Sequence, residues 1–165
     1  MSMTVVAASV HAESVATVRK SLQSTYNKST QAYQRKDADA ACEMYDPDCT
    51  IYVQNGDSAG LVSVRDMLGK MMDLFQKISE TTNIKSCSIA NKDGVESARV
   101  SVTDIKYAVI FTPHGKRLAV KDVMARRDYW EKTDDGWKIK QSRILSDVGT
   151  VNGKRIDSID ELDLR

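Results

Sequence analysis

The spacing of apolar residues predicts three helices in the first half of the chain. From Val15 to Tyr33, apolar and small side chains recur every three or four positions, which is typical of one long amphipathic helix. Asp37 is placed to cap a second, shorter helix with the same periodicity. A third helix is predicted to begin at the capping box of Ser63, and its apolar stripe continues to Ile78.

The pattern then changes from a period of 3.6 towards a period of 2, which predicts strands. A short strand precedes the third helix, and four strands joined by three polar turns follow it. Two of the four are much longer than the ~5 to 6 residues usual for strands, so the sheet should be strongly bent. The apolar residues of the second of the four strands change parity, and a bulge near Thr103 and Asp104 would keep both sets on one face. The predicted strands are Thr50–Val53, Ile84–Ile89, Val95–Phe111, Arg117–Lys132 and Trp137–Ser146.

Length and charge narrow the classes of protein. The 165 residues predict a single domain over 1–165, with its core at about 10–146 and a C-terminal extension at 147–165. No apolar run approaches the ~20 residues that cross a bilayer, so we expect no membrane partner. Lys and Arg total 24 against 23 Asp and Glu, and this balance argues against nucleic acid as a partner.

The cysteines and the first residues bear on the compartment. Cys42, Cys49 and Cys87 are odd in number and lie in apolar runs, so we interpret them as reduced core thiols. The alternative is one disulfide with one free thiol. The segment Met1–Ala12 has a short apolar run but no basic residue before it, which argues against a signal peptide. The prediction is a cytoplasmic protein.

Motifs for metals and nucleotides are missing from the sequence. His11 and His114 have no partner at ligand spacing, and no paired-cysteine or glycine-rich phosphate motif occurs. We therefore expect neither a metal nor another cofactor.

The order of elements, together with three stretches of sequence, resembles a known superfamily. These stretches are Tyr33–Ala41 leading to Tyr45–Thr50, Gly60 before the third helix, and Arg127–Lys132 with Gly136–Ile139. They are similar to the nuclear transport factor two-like superfamily, in its SnoaL-like and ketosteroid-isomerase-like branch. The resemblance implies an α+β cone, an α+β barrel with three helices of the N-terminal half packed in a strongly bent, mostly antiparallel sheet. It also implies an apolar pocket at the open end of the cone and a homodimer.

The resemblance also bears on one activity of the branch, steroid-type isomerisation. Alignment on Tyr45–Asp48 places Val53 where the ketosteroid-isomerase-like members carry their catalytic base. The same alignment places Ser29 where those enzymes carry the first-helix tyrosine of the oxyanion hole. Steroid-type isomerisation by that set of residues is therefore not expected.

Candidate site residues follow from the parity of the long strands. If Trp130 and Trp137 mark the concave side, an acid-and-arginine set lines the pocket, suited to proton transfer or to holding an anion. The catalytic candidates are Asp122, Asp128 and Asp104, the last because it lies at the predicted bulge. The ligand-binding candidates are Tyr52, Tyr107, Arg126, Trp130, Gln141 and Arg143. The alternative interpretation is that Asp128 and Arg126 pair with Arg143 across the sheet as structural ion pairs.

Two classes of function remain open at this point. The first is a pocket protein that binds an apolar or carbonyl-containing small molecule, either as a plain binder or as a cofactor-independent acid–base enzyme such as an isomerase, cyclase or hydrolase. The second is a non-catalytic association module, in which an apolar outer face of the sheet mediates oligomerisation and the cone is only a core. Because one architecture hosts many activities, the sequence does not choose between them.

Overall fold

A computed structural model of the protein describes residues 13–156. Two helices precede the sheet, and a third lies between its second and third strands. The elements are α1 (Val15–Gln34), α2 (Ala38–Cys42), β1 (Tyr45–Tyr52), β2 (Ser58–Gly60), α3 (Leu61–Leu74), β3 (Phe75–Lys92), β4 (Val95–Phe111), β5 (Arg117–Thr133), β6 (Gly136–Val151) and β7 (Lys154–Ile156).

The helix predictions hold for α1 and for the start of α2, and they fail at both ends of α3. The Asp37 side chain accepts a hydrogen bond from the backbone N–H of Ala40, so it caps α2 as predicted. Helix α3 begins at Leu61, two residues before the predicted start, and ends at Leu74 rather than Ile78. From Phe75 onward the chain pairs with β4, because backbone pairing along a long strand outweighs the helical pattern of three or four apolar side chains.

The sheet is mostly antiparallel, and its order is β2-β1-β6-β5-β4-β3. Among the strands of residues 13–156, only β1 and β6 pair in parallel, while β7 adds to β6 through a tight hairpin. The β3–β4 hairpin turns at Asp93 and Gly94, whose φ values of 53° and 83° are those that a two-residue hairpin loop requires. Curling of this sheet around the helices gives the cone-shaped α+β fold that was predicted.

The predicted bulge near Thr103 and Asp104 is wrong. Strand β4 pairs with β5 without irregularity over its whole length, so its even-numbered residues stay on one side of the sheet. We call this side, which faces α1, the inner face. The apolar side chains from Ile105 to Phe111 that share odd parity lie on the other side, the outer face. Irregularities occur instead in β3, between Ile84 and Ser86, and in β6.

The core lies between α1 and the inner face. Tyr26 of α1 meets Trp130 of β5 edge to face, with ring centres 5.3 Å apart. Val18 and Leu22 lie on the same stripe of α1 as Tyr26, and they are buried in one apolar cluster with residues of β3, β4 and β6. Among the helices of residues 13–156, none combines the length and the apolar character that crossing a bilayer requires.

The cysteines are free thiols, so the prediction of reduced cysteines is confirmed and the disulfide alternative is wrong. Cys42 and Cys49 are buried, and Cys87 is half-buried. Burial raises the pKa of the Cys49 thiol to about 12, which keeps it protonated and unreactive at neutral pH. The segment Met1–Ala12 and the last residues of the predicted C-terminal extension, 157–165, lie outside the described residues.

Candidate functional site

A band of charged side chains crosses the inner face between two apolar layers. Because β4 and β5 are paired without irregularity, the even-numbered residues of both strands point inward at the same level. The band is made of Asp104, Lys106, Asp122, Arg126 and Asp128.

The deep end of this band is a closed cluster around Arg126. Its Nε donates to Asp104 Oδ2 at 2.7 Å, and its Nη1 donates to Asp128 Oδ2. The remaining carboxylate oxygens accept from Thr82 Oγ1 and Ser142 Oγ, both at 2.6 Å. All five residues are buried, and Asp128 has no exposed surface. Every charge in the cluster is therefore paired and hydrogen-bonded, as buried charges must be.

Tyr26 ties this cluster to α1. Its Oη donates to Asp128 Oδ2 at 2.5 Å and accepts from Trp130 Nε1 at 3.0 Å. Burial is the main reason that the pKa of Tyr26 lies well above its ordinary value, and the negative charge of Asp128 raises it further. The hydroxyl therefore stays neutral. Asp128 thus accepts from Tyr26, Arg126 and Ser142, which leaves it no access to a substrate. We assign the deep cluster a structural role.

The other end of the band is open to solvent at one residue. Glu80, Lys106 and Asp122 are direct cross-strand neighbours on β3, β4 and β5. Lys106 Nζ lies 3.9 Å from Asp122 Oδ2 and 4.8 Å from the centre of the Tyr33 ring. Lys106 is only 9% exposed, whereas the Asp122 side chain is 22% exposed and within reach of a solute.

Burial is the main reason that the pKa of Asp122 is raised, to about 7. The neighbouring carboxyl of Asp147 raises it further, and the ammonium of Lys106 lowers it without cancelling the shift. At neutral pH the Asp122 carboxyl is therefore close to half protonated. A carboxyl in this condition can both accept and donate a proton, which is the property that general acid–base catalysis needs.

A fixed positive charge, the ammonium of Lys106, lies beside Asp122. Burial lowers the pKa of Lys106, but the nearby Tyr33, Glu80 and Asp122 outweigh this effect and keep it above its ordinary value. Lys106 is therefore charged at neutral pH. Burial raises the pKa of Glu80 and that of Tyr33. Within residues 13–156, the buried hydroxyl of Tyr33 has no hydrogen-bond partner. We call Glu80, Lys106, Asp122, Asp147 and Tyr33 the open-end site.

The raised pKa of Asp122 predicts a pH-dependent stability. Between about pH 4 and pH 7 the folded chain holds a proton on Asp122 that the unfolded chain has released, so this group makes stability fall as pH rises. We expect Asp122→Asn to melt above the unaltered protein at pH 8 and close to it at pH 5. Thermal melts at the two pH values measure this, with the turn variant Asp134→Asn as control. An equal effect of Asp122→Asn at both pH values would contradict the raised pKa.

The predicted site residues divide between the two faces of the sheet. On the inner face lie Asp104, Asp122, Asp128, Arg126 and Trp130. Tyr52, Tyr107, Gln141 and Arg143 lie on the outer face. Tyr107 is 51% exposed there, and the guanidinium of Arg143 stacks on the Tyr52 ring at 5.0 Å.

The expectation that Gln141 and Arg143 share a face with Trp137 is wrong because β6 carries an extra residue. Trp130 pairs with Ile139 and Tyr129 pairs with Gln141, so Lys140 has no partner on β5. The parity of β6 reverses at that point. The alternative in which Arg143 pairs with Asp128 is wrong for the same reason, since Asp128 is bound by Arg126 from its own strand.

Sequence reasoning missed seven residues of the two inner-face clusters: Tyr26, Tyr33, Glu80, Thr82, Lys106, Ser142 and Asp147. Tyr26 and Tyr33 were interpreted as ordinary core positions of α1, and the sequence contains nothing that shows which strand residue they meet. Lys106 did leave a signal, since it shares the parity of Asp104 in an inward row that is otherwise apolar. Glu80 was placed outside the predicted strands because β3 begins nine residues earlier than expected.

The described chain offers no ready-made metal centre. Within residues 13–156, no three His, Cys, Asp or Glu side chains gather in a way that holds a metal ion. His114 lies in the turn between β4 and β5, and His11 lies outside the described residues.

Comparison with known proteins now decides the family. Residues 14–143 match the family model of the SnoaL-like domain. The chain belongs to the SnoaL-like domain family. The match covers α1 through the first half of β6, so it includes both strands of the inner-face band, and the resemblance stated from the sequence is confirmed.

Solved structures share the fold of this SnoaL-like chain at low sequence identity. A putative scytalone dehydratase from Novosphingobium aromaticivorans has a TM-score of 0.67 at 13% identity, covering 82% of this chain and 87% of its own. A hexachlorocyclohexane dehydrochlorinase has a TM-score of 0.57 at 10% identity, covering 87% and 92%. A nuclear transport factor 2-like superfamily protein from Salmonella enterica has a TM-score of 0.53 at 14% identity, covering 90% and 99%. A search of curated proteins gives no match. These structures establish the fold, which hosts both ligand binding and catalysis.

Proposed function

We propose that this SnoaL-like protein is a cofactor-independent acid–base enzyme that moves a proton on a carbonyl-containing small molecule. The observation that carries the proposal is the Asp122 carboxyl, which is partly exposed, has a pKa of about 7 and lies 3.9 Å from a buried ammonium. Perturbed titratable groups of this kind concentrate at functional sites.

The geometry of the open-end site separates the two tasks of such a reaction. The Asp122 carboxylate takes a proton from the carbon next to the carbonyl, and the electron pair of that C–H bond moves to the carbonyl oxygen. Lys106 supplies a fixed positive charge for the enolate oxygen that forms. The protonated Asp122 then returns its proton to carbon, which completes an isomerisation or an exchange. No oxidant or reductant is consumed.

The names of two similar structures support proton abstraction as the first step. Dehydratase and dehydrochlorinase both denote eliminations, in which a proton and a leaving group depart from neighbouring carbons. A positioned carboxyl such as that of Asp122 can act as the general base for such a proton transfer. The proposal therefore specifies the proton abstraction. Which step follows it depends on whether the substrate carries a leaving group.

The experiment that tests this function does not require the natural substrate. The protein is incubated in D2O with a panel of small cyclic ketones, enones and esters, and deuterium incorporation next to the carbonyl is followed by mass spectrometry. Incorporation above the buffer rate for at least one compound is expected. A panel that shows no exchange at pH 6 to 8 would favour a plain binding protein.

The outer face of the sheet supports a second proposal, a homodimer. Apolar side chains from three strands meet there: Ile105, Tyr107, Val109, Phe111, Val123 and Val148. We call this set the outer apolar patch. Several of its members are about half exposed, and contiguous exposed apolar surface marks interaction sites. The association-module hypothesis requires an apolar outer face, so the patch also supports that hypothesis.

Placing a charge in the outer apolar patch is expected to separate the dimer. Val109→Glu would bury a carboxylate against its own copy, which an apolar interface does not tolerate. Light scattering after size exclusion should give twice 18.4 kDa for the unaltered chain and about half that mass for the variant. Ser101→Glu, on the same strand and face but outside the patch, should remain a dimer. A monomeric unaltered protein would end this proposal.

The compartment is the last part of the proposal. The free thiols of Cys42 and Cys49 support a cytoplasmic location, since cytosolic thiols are kept reduced. The expected small-molecule ligand and the absence of a nucleic-acid partner remain part of the same proposal.

A further inference from the structure

The outer face carries a second feature, at the end away from the outer apolar patch. A groove of about 590 Å³ opens there, on the opposite side of the sheet from the open-end site. Three arginines line it, Arg99 from β4, Arg127 from β5 and Arg143 from β6. A volume of this size suits a small organic ligand.

The strand register brings the three guanidinium groups together. Arg127 and Arg143 are directly opposite each other on antiparallel strands, which places their Cβ atoms about 5 Å apart. Arg99 stands diagonally across from Arg127, because Arg127 pairs with Ser101 two residues further along β4. Diagonal neighbours lie roughly 7 to 8 Å apart, so all three side chains reach a common ligand.

Nothing in residues 13–156 neutralises these charges. None of the three guanidinium groups makes an ion pair or donates a hydrogen bond in the described chain, in contrast to the buried Arg126. Glu131, which lies on the same face of β5, accepts a hydrogen bond from Tyr129 at 3.0 Å and pairs with none of them within the described residues. Like charges directly opposite each other destabilise a sheet. The pair Arg127 and Arg143 therefore costs stability unless an anion lies between them.

The remaining walls of the groove suit an oxyanion. Ser86, Ser88 and Ser101 contribute hydroxyl donors on short side chains, which leave the arginines accessible. The Arg143 guanidinium lies over the Tyr52 ring, with Cζ 5.0 Å from the ring centre, and this contact favours its position beside the groove. Guanidinium forks match phosphate and carboxylate groups, and each can bind two oxygens at once.

We propose that this arginine groove is a binding site for a small molecule that carries at least two oxyanion groups, phosphate or carboxylate. The site is independent of the open-end site, since the two lie on opposite faces of one sheet. It is a further ligand site on the protein and does not depend on the proposed acid–base reaction.

Calorimetric titration of the full chain tests the groove. The probes are inorganic pyrophosphate and citrate, which separate a phosphate ligand from a carboxylate ligand. At least one probe should bind with a saturable isotherm that weakens as salt is raised. Arg127→Gln and Arg143→Gln should each weaken it by at least tenfold. The control Arg117→Gln removes an exposed arginine from the same face of β5, ten residues earlier, and should change the affinity by less than twofold.

Two results of this titration would contradict the arginine groove as a binding site. Binding by neither probe overturns the proposal. Equal loss in Arg117→Gln and Arg127→Gln also overturns it, because the attraction would then come from overall charge. A thermal melt guards against misfolding, and Arg127→Gln should melt no lower than the unaltered protein because it removes one of two opposed charges. Deuterium exchange at the open-end site should be unchanged in all three variants.

Discussion

The Arg126→Met variant is expected to melt about 10 °C below the unaltered protein. Removing one partner of a buried ion pair costs roughly 3 to 5 kcal/mol, and in a chain of this size each kcal/mol shifts the melting temperature by roughly 2 to 4 °C. The cost arises because Asp104 and Asp128 would remain buried without their shared counter-ion. Thermal melts at pH 7 measure the change.

The neighbouring residue provides a matched control. Arg127 follows Arg126 on the same strand but lies on the outer face, where no carboxylate pairs with it within residues 13–156. Arg127→Met should therefore leave the melting temperature within a few degrees of the original. If both variants melt at the same temperature, the deep cluster contributes no net stability and its structural assignment is wrong.

The deep cluster also explains why Asp128 is a poor test of catalysis. Asp128→Asn disturbs the hydrogen bonds with Tyr26, Arg126 and Ser142 at once, so loss of activity in that variant would report loss of structure. Asp122 differs because its ion pair with Lys106 is long, its other neighbour is the Asp147 carboxyl, and it is partly exposed. An activity change in Asp122→Asn can therefore be assigned to chemistry.

The fold was predictable because its signals are local. The stripe of α1, the Asp37 cap and the three polar turns each depend on a few neighbouring residues, and β4 was predicted with the bounds that it has. The end of α3 was not predictable, because Phe75–Ile78 continues the helical pattern and becomes strand only through its pairing with β4. The local spacing of apolar residues contains no information about a pairing strand that lies 30 or more residues away in the chain.

The site was only partly predictable for a related reason. Parity along β5 correctly placed Asp122, Arg126 and Asp128 with Trp130, because β5 is regular through that stretch. On β6 one extra residue, Lys140, reversed the face of Gln141 and Arg143. A bulge reverses the facing of the side chains that follow it until the next irregularity, which in β6 comes between Ile144 and Ser146, and no residue in this stretch marks its position in the sequence. The same reversal created the arginine groove.

The Asp122→Asn variant is expected to lose at least 100-fold in the rate of deuterium exchange on any ketone or enone that the unaltered protein activates. A positioned general base contributes roughly 10² to 10⁴ to a rate, and an amide cannot take its place. The fold should remain intact, since the variant is expected to be as stable as the original or more so above pH 7. An exchange rate within threefold of the original would remove Asp122 from the mechanism.

The pH profile gives a sharper version of the same test, because a merely structural role would not move it. Exchange by the unaltered protein should rise with pH and level off above about 7, as Asp122 loses its proton and becomes a base. Asp147→Asn removes one cause of the raised pKa, so its profile should rise at lower pH while reaching a similar plateau. Lys106→Met should leave a carboxyl that still takes a proton but has no cation for the enolate, so its plateau should fall. If Asp147→Asn leaves the midpoint unmoved, the ionisation that controls the rate belongs to another group, and the assignment of Asp122 as the base fails.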